Sequence, residues 1–259
     1  MKSHFLPKLT ILAFSVLLSV CGCTKNTTTP TQSGNIFGIG FLYDQYGDRV
    51  MSNLAGDSIK IQNSGTAVIT DANGHYTLSS LNEGIYSFTY SKAGYGNMQL
   101  NNAQFIGGGN TEHDFKLASI PDFNVSTIDS SNLTNTNNLV TVRVYGTLSS
   151  VDPLPRTVLL LVGANSNVST NPATYSLNYT GKTILNAKTG AYTTQYLVSI
   201  PVNELYDAGF AKGSTIYIAA TGVSGVGNTA SIYEDPTTGR SVYTAVSAGT
   251  PQVKTVTVP

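Results

Sequence analysis

The feature that most constrains this chain is how its apolar residues are distributed. They come in short runs, either alternating with polar residues or continuous, and clusters of Gly, Asn, Asp, Thr and Pro separate the runs. Ser58-Ile59-Lys60-Ile61 alternates, Gly84 to Tyr90 places Tyr86, Phe88 and Tyr90 on one side at period two, and Val158 to Val162 is apolar throughout. No stretch keeps a helical period. Charged residues make up 11% of the 259, against roughly a quarter in ordinary soluble domains. That supply cannot clothe the outer faces of long amphipathic helices, but it is ample for short strands with polar turns. The chain is therefore expected to be all-β.

The runs fall into two blocks. The first spans Ile36 to Leu117. Within it Ala67 to Thr70 and His75 to Leu78 flank Asp71-Ala72-Asn73-Gly74, a four-residue connection ending in Gly, which is a hairpin signal. The second begins at Asp122 after Ser119-Ile120-Pro121. Its expected strands are Leu139–Tyr145, Val158–Val162, Tyr175–Tyr179, Tyr192–Ile200, Thr215–Ala220, Ser231–Tyr233, Ser241–Val246 and Val253–Val258. Turns are expected at Thr180-Gly181, Thr189-Gly190 and Asp235 to Gly239. Val202 to Gly209 reads as the one helical turn, with Asn203 as its cap and Gly209 as its stop. Many short strands at this spacing suggest an immunoglobulin-like or fibronectin-like sandwich over residues 122–259.

The first block resembles the carboxypeptidase regulatory-like domain, a small transthyretin-like β-sandwich. The resemblance rests on Gly38 and Gly40 in the opening strand, the Asp44…Gly47 loop, Thr70-Asp71-Ala72-Asn73-Gly74-His75-Tyr76, Gly84-Ile85-Tyr86 and Gly94-Tyr95. It covers residues 36–117 within a domain drawn as 36–119. Arg49 departs from it, standing where the family often has Pro. The resemblance implies a fold and an accessory module without catalytic residues or cofactor. It also brings starch-binding-like sandwiches into consideration.

The first 22 residues read as a targeting segment. Lys2, His4 and Lys8 precede the apolar run Leu9 to Val20, which is too short to span a bilayer and fits a signal-peptide core. Val20-Cys21-Gly22-Cys23 resembles a bacterial lipobox, with Cys23 as the residue that is acylated and becomes the new N-terminus. Residues 23–35 carry almost no apolar side chain and read as a flexible tether. The expected address is the bacterial cell envelope, on the outer membrane, with the lipid as the membrane partner. With Cys21 removed and Cys23 acylated, no disulfide is expected.

The 14 basic and 14 acidic residues balance, which argues against a nucleic-acid partner. No Gly-x-Ser-x-Gly, Ser-x-x-Lys, phosphate loop or His-Glu-x-x-His is present, so no enzyme and no cofactor is expected. Glu112-His113-Asp114, read as strand, points its carboxylates one way and its imidazole the other, which is poor metal geometry. Asp44, Asp48, Asp71 and Asn73 fit turn chemistry better than calcium. Tyr175 and Tyr179, with Tyr192 and Tyr196, could form an aromatic platform for sugar rings, edged by Asn178 or Gln195. Leu177, Val198 and Ile200 on the same runs favour a buried face instead. The expected role is a non-catalytic, lipid-anchored envelope protein for adhesion or assembly, with an envelope protein or a glycan as partner. The rival reading is a carbohydrate-binding surface lipoprotein.

Overall fold

A computed structural model describes residues 32–129, 139–147, 154, 156–182, 184–186, 193–225 and 229–259. Cys23, residues 24–31 of the expected tether, the Thr189-Gly190 turn and Tyr192 lie outside the described residues, as does the side chain of Tyr196. The last tether residues, 33–35, are not flexible chain but the start of the first strand, Ser33–Tyr43. The chain is a β-protein of two sandwiches within one compact unit, Gln32–Pro259.

The first sandwich is built from β1 (Ser33–Tyr43), β2 (Ser58–Ile61), β3 (Ala67–Ile69), β4 (His75–Asn82), β5 (Gly84–Ser91), β6 (Met98–Phe105), β7 (Asn110–Glu112) and β8 (Phe115–Ala118). One sheet centres on β1, which pairs antiparallel with β4 and parallel with β7 and then β8. The other has the order β3-β2-β5-β6. Period two decides which side chains go in. Ile59, Ile61, Leu78, Phe88, Tyr90, Phe115 and Leu117 are buried between the sheets, and the residues between them face out. Tyr86, Phe88 and Tyr90 make the expected row, with successive ring centroids 6.2 and 6.3 Å apart. Tyr90 stacks on Phe115 at 4.4 Å.

The Asp71–Gly74 connection forms as its sequence dictates. Asp71 Oδ1 accepts the amides of Asn73 (2.8 Å) and His75 (2.9 Å). These two bonds hold the Asp71 carboxyl below its usual pKa, that of His75 first. Gly74 sits at φ 83°, and its carbonyl accepts the Gly40 amide at 2.9 Å. The Asp44 loop repeats the device, with Oδ1 accepting the amides of Tyr46, Gly47 and Asp48. In both turns one carboxylate oxygen is taken up by backbone amides of its own loop. The strand expected to run through His113 ends at Glu112 instead. Asp114 Oδ1 accepts the Ile39 amide at 2.8 Å, and burial lowers the pKa of His113, whose ring lies 5.9 Å from Tyr90.

The second sandwich contains β9 (Asn124–Asp129), β10 (Leu139–Thr147), β11 (Thr157–Gly163), β12 (Leu177–Lys182), β13 (Ile184–Asn186), β14 (Thr193–Pro201), α1 (Val202–Asp207), β15 (Thr215–Val223), β16 (Ile232–Glu234), β17 (Ser241–Tyr243) and β18 (Gln252–Thr257). Its sheets have the orders β13-β14-β10-β9 and β12-β11-β15-β18. Every residue of β11 is buried, which explains its unbroken apolar run. Val158, Leu160 and Val162 face the inter-sheet core with Ile216, Ile218 and Ile200. Leu159 and Leu161 face the other way, against Val168, Tyr175 and Tyr243. The β16–β17 hairpin supplies that third layer. Thr180-Gly181 is not a turn but lies inside β12, paired with Leu159 and Val158. Tyr175 precedes β12 rather than belonging to it.

The sandwiches meet in a backbone-rich junction around a small apolar cluster of Ala118, Ala230 and Ala245, with Tyr43 packed on it. Ser231, 2% exposed, accepts the Ala118 amide and donates to the Gly96 carbonyl, both at 2.8 Å. Its own amide donates to the Lys116 carbonyl at 3.0 Å. Ser224 and Gly225 reach the carbonyls of Asp44 and Gln45. The guanidinium of Arg156 lies 4.4 Å over the Tyr46 ring and 3.6 Å from Asp122.

Candidate functional site

The site begins with α1. Val202 and Leu205 are buried in the core, and this anchors one side of this short helix. Pro201, not Asn203, occupies the N-cap, and no side chain caps the helix start. The C-terminus closes with Gly209 at φ 89°, its amide on the Tyr206 carbonyl, and the Phe210 amide on the Leu205 carbonyl. This is a Schellman arrangement, and it satisfies the last carbonyls. With Val202 and Leu205 turned inward, Glu204 and Asp207 share the outward side at a spacing of three residues.

Across from them stands Arg240, placed by the turn between β16 and β17. Asp235 Oδ2 accepts the Thr238 hydroxyl (2.6 Å) and amide (3.0 Å), Gly239 takes φ 66°, and the Asp235 amide closes on the Arg240 carbonyl at 2.8 Å. The Thr238 hydroxyl, foremost, pulls the Asp235 carboxyl below its usual pKa. Arg240 Nη1 donates to the Pro172 carbonyl at 2.9 Å, which fixes the fork. Ser176, just before β12, and Leu177, its first residue, complete a depression of about 410 Å³ together with Glu204, Asp207, Ala208 and Arg240.

Chemically this is two carboxylates facing a guanidinium over a small apolar floor. Carboxylates accept pairs of hydroxyl protons, and a guanidinium donates in a fixed fork. The Tyr179 hydroxyl donates to Glu204 Oε2 at 2.7 Å and holds that carboxylate in place. Burial first, and then the Glu204 carboxylate, raise the Tyr179 pKa. No histidine or cysteine lines the depression. The set can grip a polar ligand, and it offers no nucleophile with its base.

Of the four tyrosines expected to form a platform, Tyr192 and the side chain of Tyr196 lie outside the described residues, and Tyr175 and Tyr179 pack in different clusters. Tyr175 is 1% exposed, its hydroxyl donates to the Ser241 carbonyl, and burial pushes its pKa up to about 12. It belongs to the core. Tyr179 is half-buried beside the depression, where it supports Glu204 rather than offering a ring face. Asn178, expected at the platform edge, accepts the Tyr243 hydroxyl at 2.7 Å. The sequence reading missed Glu204, Asp207 and Arg240 as a group. Their usable signal was the i, i+3 carboxylate pair on the expected helical turn.

The chain is similar to several solved structures. One is a DUF3823 family protein from Bacteroides ovatus, at 15% identity over 88% of this chain and 100% of that one, with a TM-score of 0.32. A second DUF3823 family protein, from Bacteroides uniformis, matches at 13% identity over 89% and 100%, with a TM-score of 0.28. A third protein, also from Bacteroides uniformis and provisionally named as carbohydrate binding, matches at 18% identity over 87% and 99%, with a TM-score of 0.30. No family model matches the chain, and no curated protein matches it.

Proposed function

We propose that this chain is a non-catalytic protein of the bacterial cell envelope, held to the outer membrane by lipid on Cys23 and serving adhesion or assembly through its two sandwiches. The observation that supports this reading best is the junction at Ser231. Its amide bonds the Lys116 carbonyl, and its hydroxyl bonds the Ala118 amide and the Gly96 carbonyl, which ties the two sandwiches together. A body joined this way presents its surfaces in one fixed orientation and transmits force along the chain, as an adhesion or assembly module must. The test is a cross-linking pull-down from envelope extract with the lipidated protein. Recovery of a defined envelope partner, abolished by Cys23→Ala through loss from the membrane, supports the reading. Equal recovery with Cys23→Ala from the soluble fraction counts against the anchored role.

The second reading is glycan binding, favoured by the Glu204, Asp207 and Arg240 depression. A glycan array separates the two readings. Binding that Glu204→Gln and Arg240→Ala both abolish, with unchanged melting, places the ligand there. A blank array leaves the adhesion reading as the stronger.

A further inference from the structure

Two isoleucines in the first sandwich are far more exposed than an apolar residue needs to be. Ile85 is 70% exposed and Ile106 is 73% exposed. They stand together. Ile85 pairs with Gln104 across β5 and β6, and Phe105, paired with Gly84, turns into the core at 3% exposure. Ile106 therefore returns to the outer side beside Gln104, diagonal to Ile85. Both line one shallow recess of about 270 Å³ with Glu83 and Gln104.

The same pole receives the chain from its N-terminal side. The Gln32 carbonyl accepts the Glu83 amide at 3.0 Å, two residues before Ile85. Gly107, the residue after Ile106, comes so close to Gln32 that an added Cβ would lie 2.1 Å from the Gln32 carbonyl oxygen. Gly108 donates its amide to the Ser33 carbonyl at 3.2 Å. Gln32 is thus clasped between the two segments that carry the isoleucines. Nine residue steps separate it from Cys23, a contour of about 30 Å when fully extended.

We infer that Ile85 and Ile106 form a membrane-contacting foot, which seats this pole of the first sandwich on the lipid surface that holds Cys23. The inference rests on the lipid-anchor reading and deepens it. A lipid on Cys23 keeps the foot within tether reach of the bilayer at all times, so a weak apolar contact suffices where free association would fail. Exposed aliphatic side chains at the membrane-proximal pole are matched to the acyl boundary of a lipid leaflet. Glu83 is the charged residue of the recess, so the contact is apolar rather than an attraction to anionic headgroups. It favours zwitterionic lipid and withstands salt.

The test uses the full-length protein, lipidated in a bacterial host and reconstituted into phosphatidylcholine vesicles. Acylation of Cys23 is verified first by intact mass. An environment-sensitive fluorophore is then placed singly by Ile85→Cys, Ile106→Cys and, as control, Ile69→Cys. Ile69 is 60% exposed and lies at the opposite end of the same sheet, paired with Ser58, whose other partner is Ser91. The expected result is a blue shift at positions 85 and 106, with quenching by bromine-bearing lipid at least threefold that at position 69. Both effects persist when salt is raised tenfold. Acylated protein whose probes at 85 and 106 are no better shielded than at 69 overturns the foot and leaves the anchor standing. Protein with no acyl mass on Cys23 overturns both. Shielding that appears in detergent without vesicles and grows with protein concentration assigns the patch to a second copy, and that also overturns the foot.

Discussion

Ser231 and Gly96, 135 residues apart, are joined by a 2.8 Å hydrogen bond from the serine hydroxyl to the glycine carbonyl. Ser231 holds a left-handed backbone at φ 49° to make it. A non-glycine residue in that region pays a conformational cost, and here the cost is offset by three bonds across the junction.

Ser231→Ala keeps the strained backbone and removes the hydroxyl, leaving the Ala118 amide without its acceptor. The expected loss is about 1–3 kcal/mol. Ser231→Gly removes the same hydroxyl but relieves the left-handed backbone. It should therefore cost less than Ser231→Ala, by about 1 kcal/mol. Denaturant midpoints of the two variants check the order, and an alanine variant as stable as the glycine variant would contradict the strain argument.

Gly96 tests the junction from the other side. An added Cβ there would lie 2.4 Å from the Ala245 amide nitrogen and 2.6 Å from the Thr244 carbonyl carbon, backbone atoms that cannot swing away. Ala245 belongs to the small apolar cluster of Ala118, Ala230 and Ala245 at the junction, apart from the two main cores. Gly96→Val is expected to pry the sandwiches apart while leaving both folded. Calorimetry should show one transition in the wild type and two in the variant. A single transition, merely shifted downward, would mean that the two cores are coupled through something other than this contact.

Gly74 combines φ 83° with an added Cβ only 2.9 Å from the Gly40 carbonyl oxygen. Gly74→Ala should cost about 1–2 kcal/mol, a fall in melting midpoint of about 2–8 °C for a chain of this size. Calcium should leave both proteins unmoved, since Asp71 Oδ1 already accepts two amides. Melts with calcium and with chelator decide it, because a cation bound to the native state alone must raise the midpoint.

What could be read from the sequence was what is local. The Thr70 to Tyr76 hairpin needs an aspartate, a glycine and two flanking runs, and all of them lie within the twelve residues 67–78. The Tyr86, Phe88 and Tyr90 row follows from period two alone. Tyr175 and Tyr179 defeated the same rule. The strand begins at Leu177, so parity counted from Tyr175 started outside it. Val158 to Val162 was legible as a strand, but its second covering layer comes from β16 and β17, a hairpin that begins 70 residues after Val162. Glu204 and Asp207 were visible on their turn, but Arg240 reaches them only through the packing of that distant hairpin. Ser231 with Gly96, and Ile85 with Ile106 around Gln32, are meetings that tertiary folding makes and no spacing announces.

Asp57 and Lys92 are another such meeting, and they carry a pH dependence. Asp57 is fully buried, Lys92 Nζ lies 2.7 Å from its Oδ1 and also donates to the Ala55 carbonyl, and Oδ2 has no partner. Burial raises the Asp57 pKa, and the Lys92 hydrogen bond and charge pull it partway back. Lys92→Met removes that pull and leaves a carboxylate in the core, at a cost of about 3–5 kcal/mol near neutral pH. The direction with pH follows from the raised value. The native state then binds the Asp57 proton more tightly than the unfolded chain, whose carboxyl titrates at about 3.9. Stability of the variant therefore falls as pH rises from that ordinary value through the raised native one, and the full deficit is present above it. Urea unfolding of Lys92→Met should show a large deficit against wild type at neutral pH that shrinks as pH is lowered toward the ordinary carboxylate range. Adding Asp57→Asn should flatten this extra dependence, because no titrating group is left at the site. A deficit of equal size at both ends of that range would mean that Lys92 acts through the packing of its stem and not through its charge.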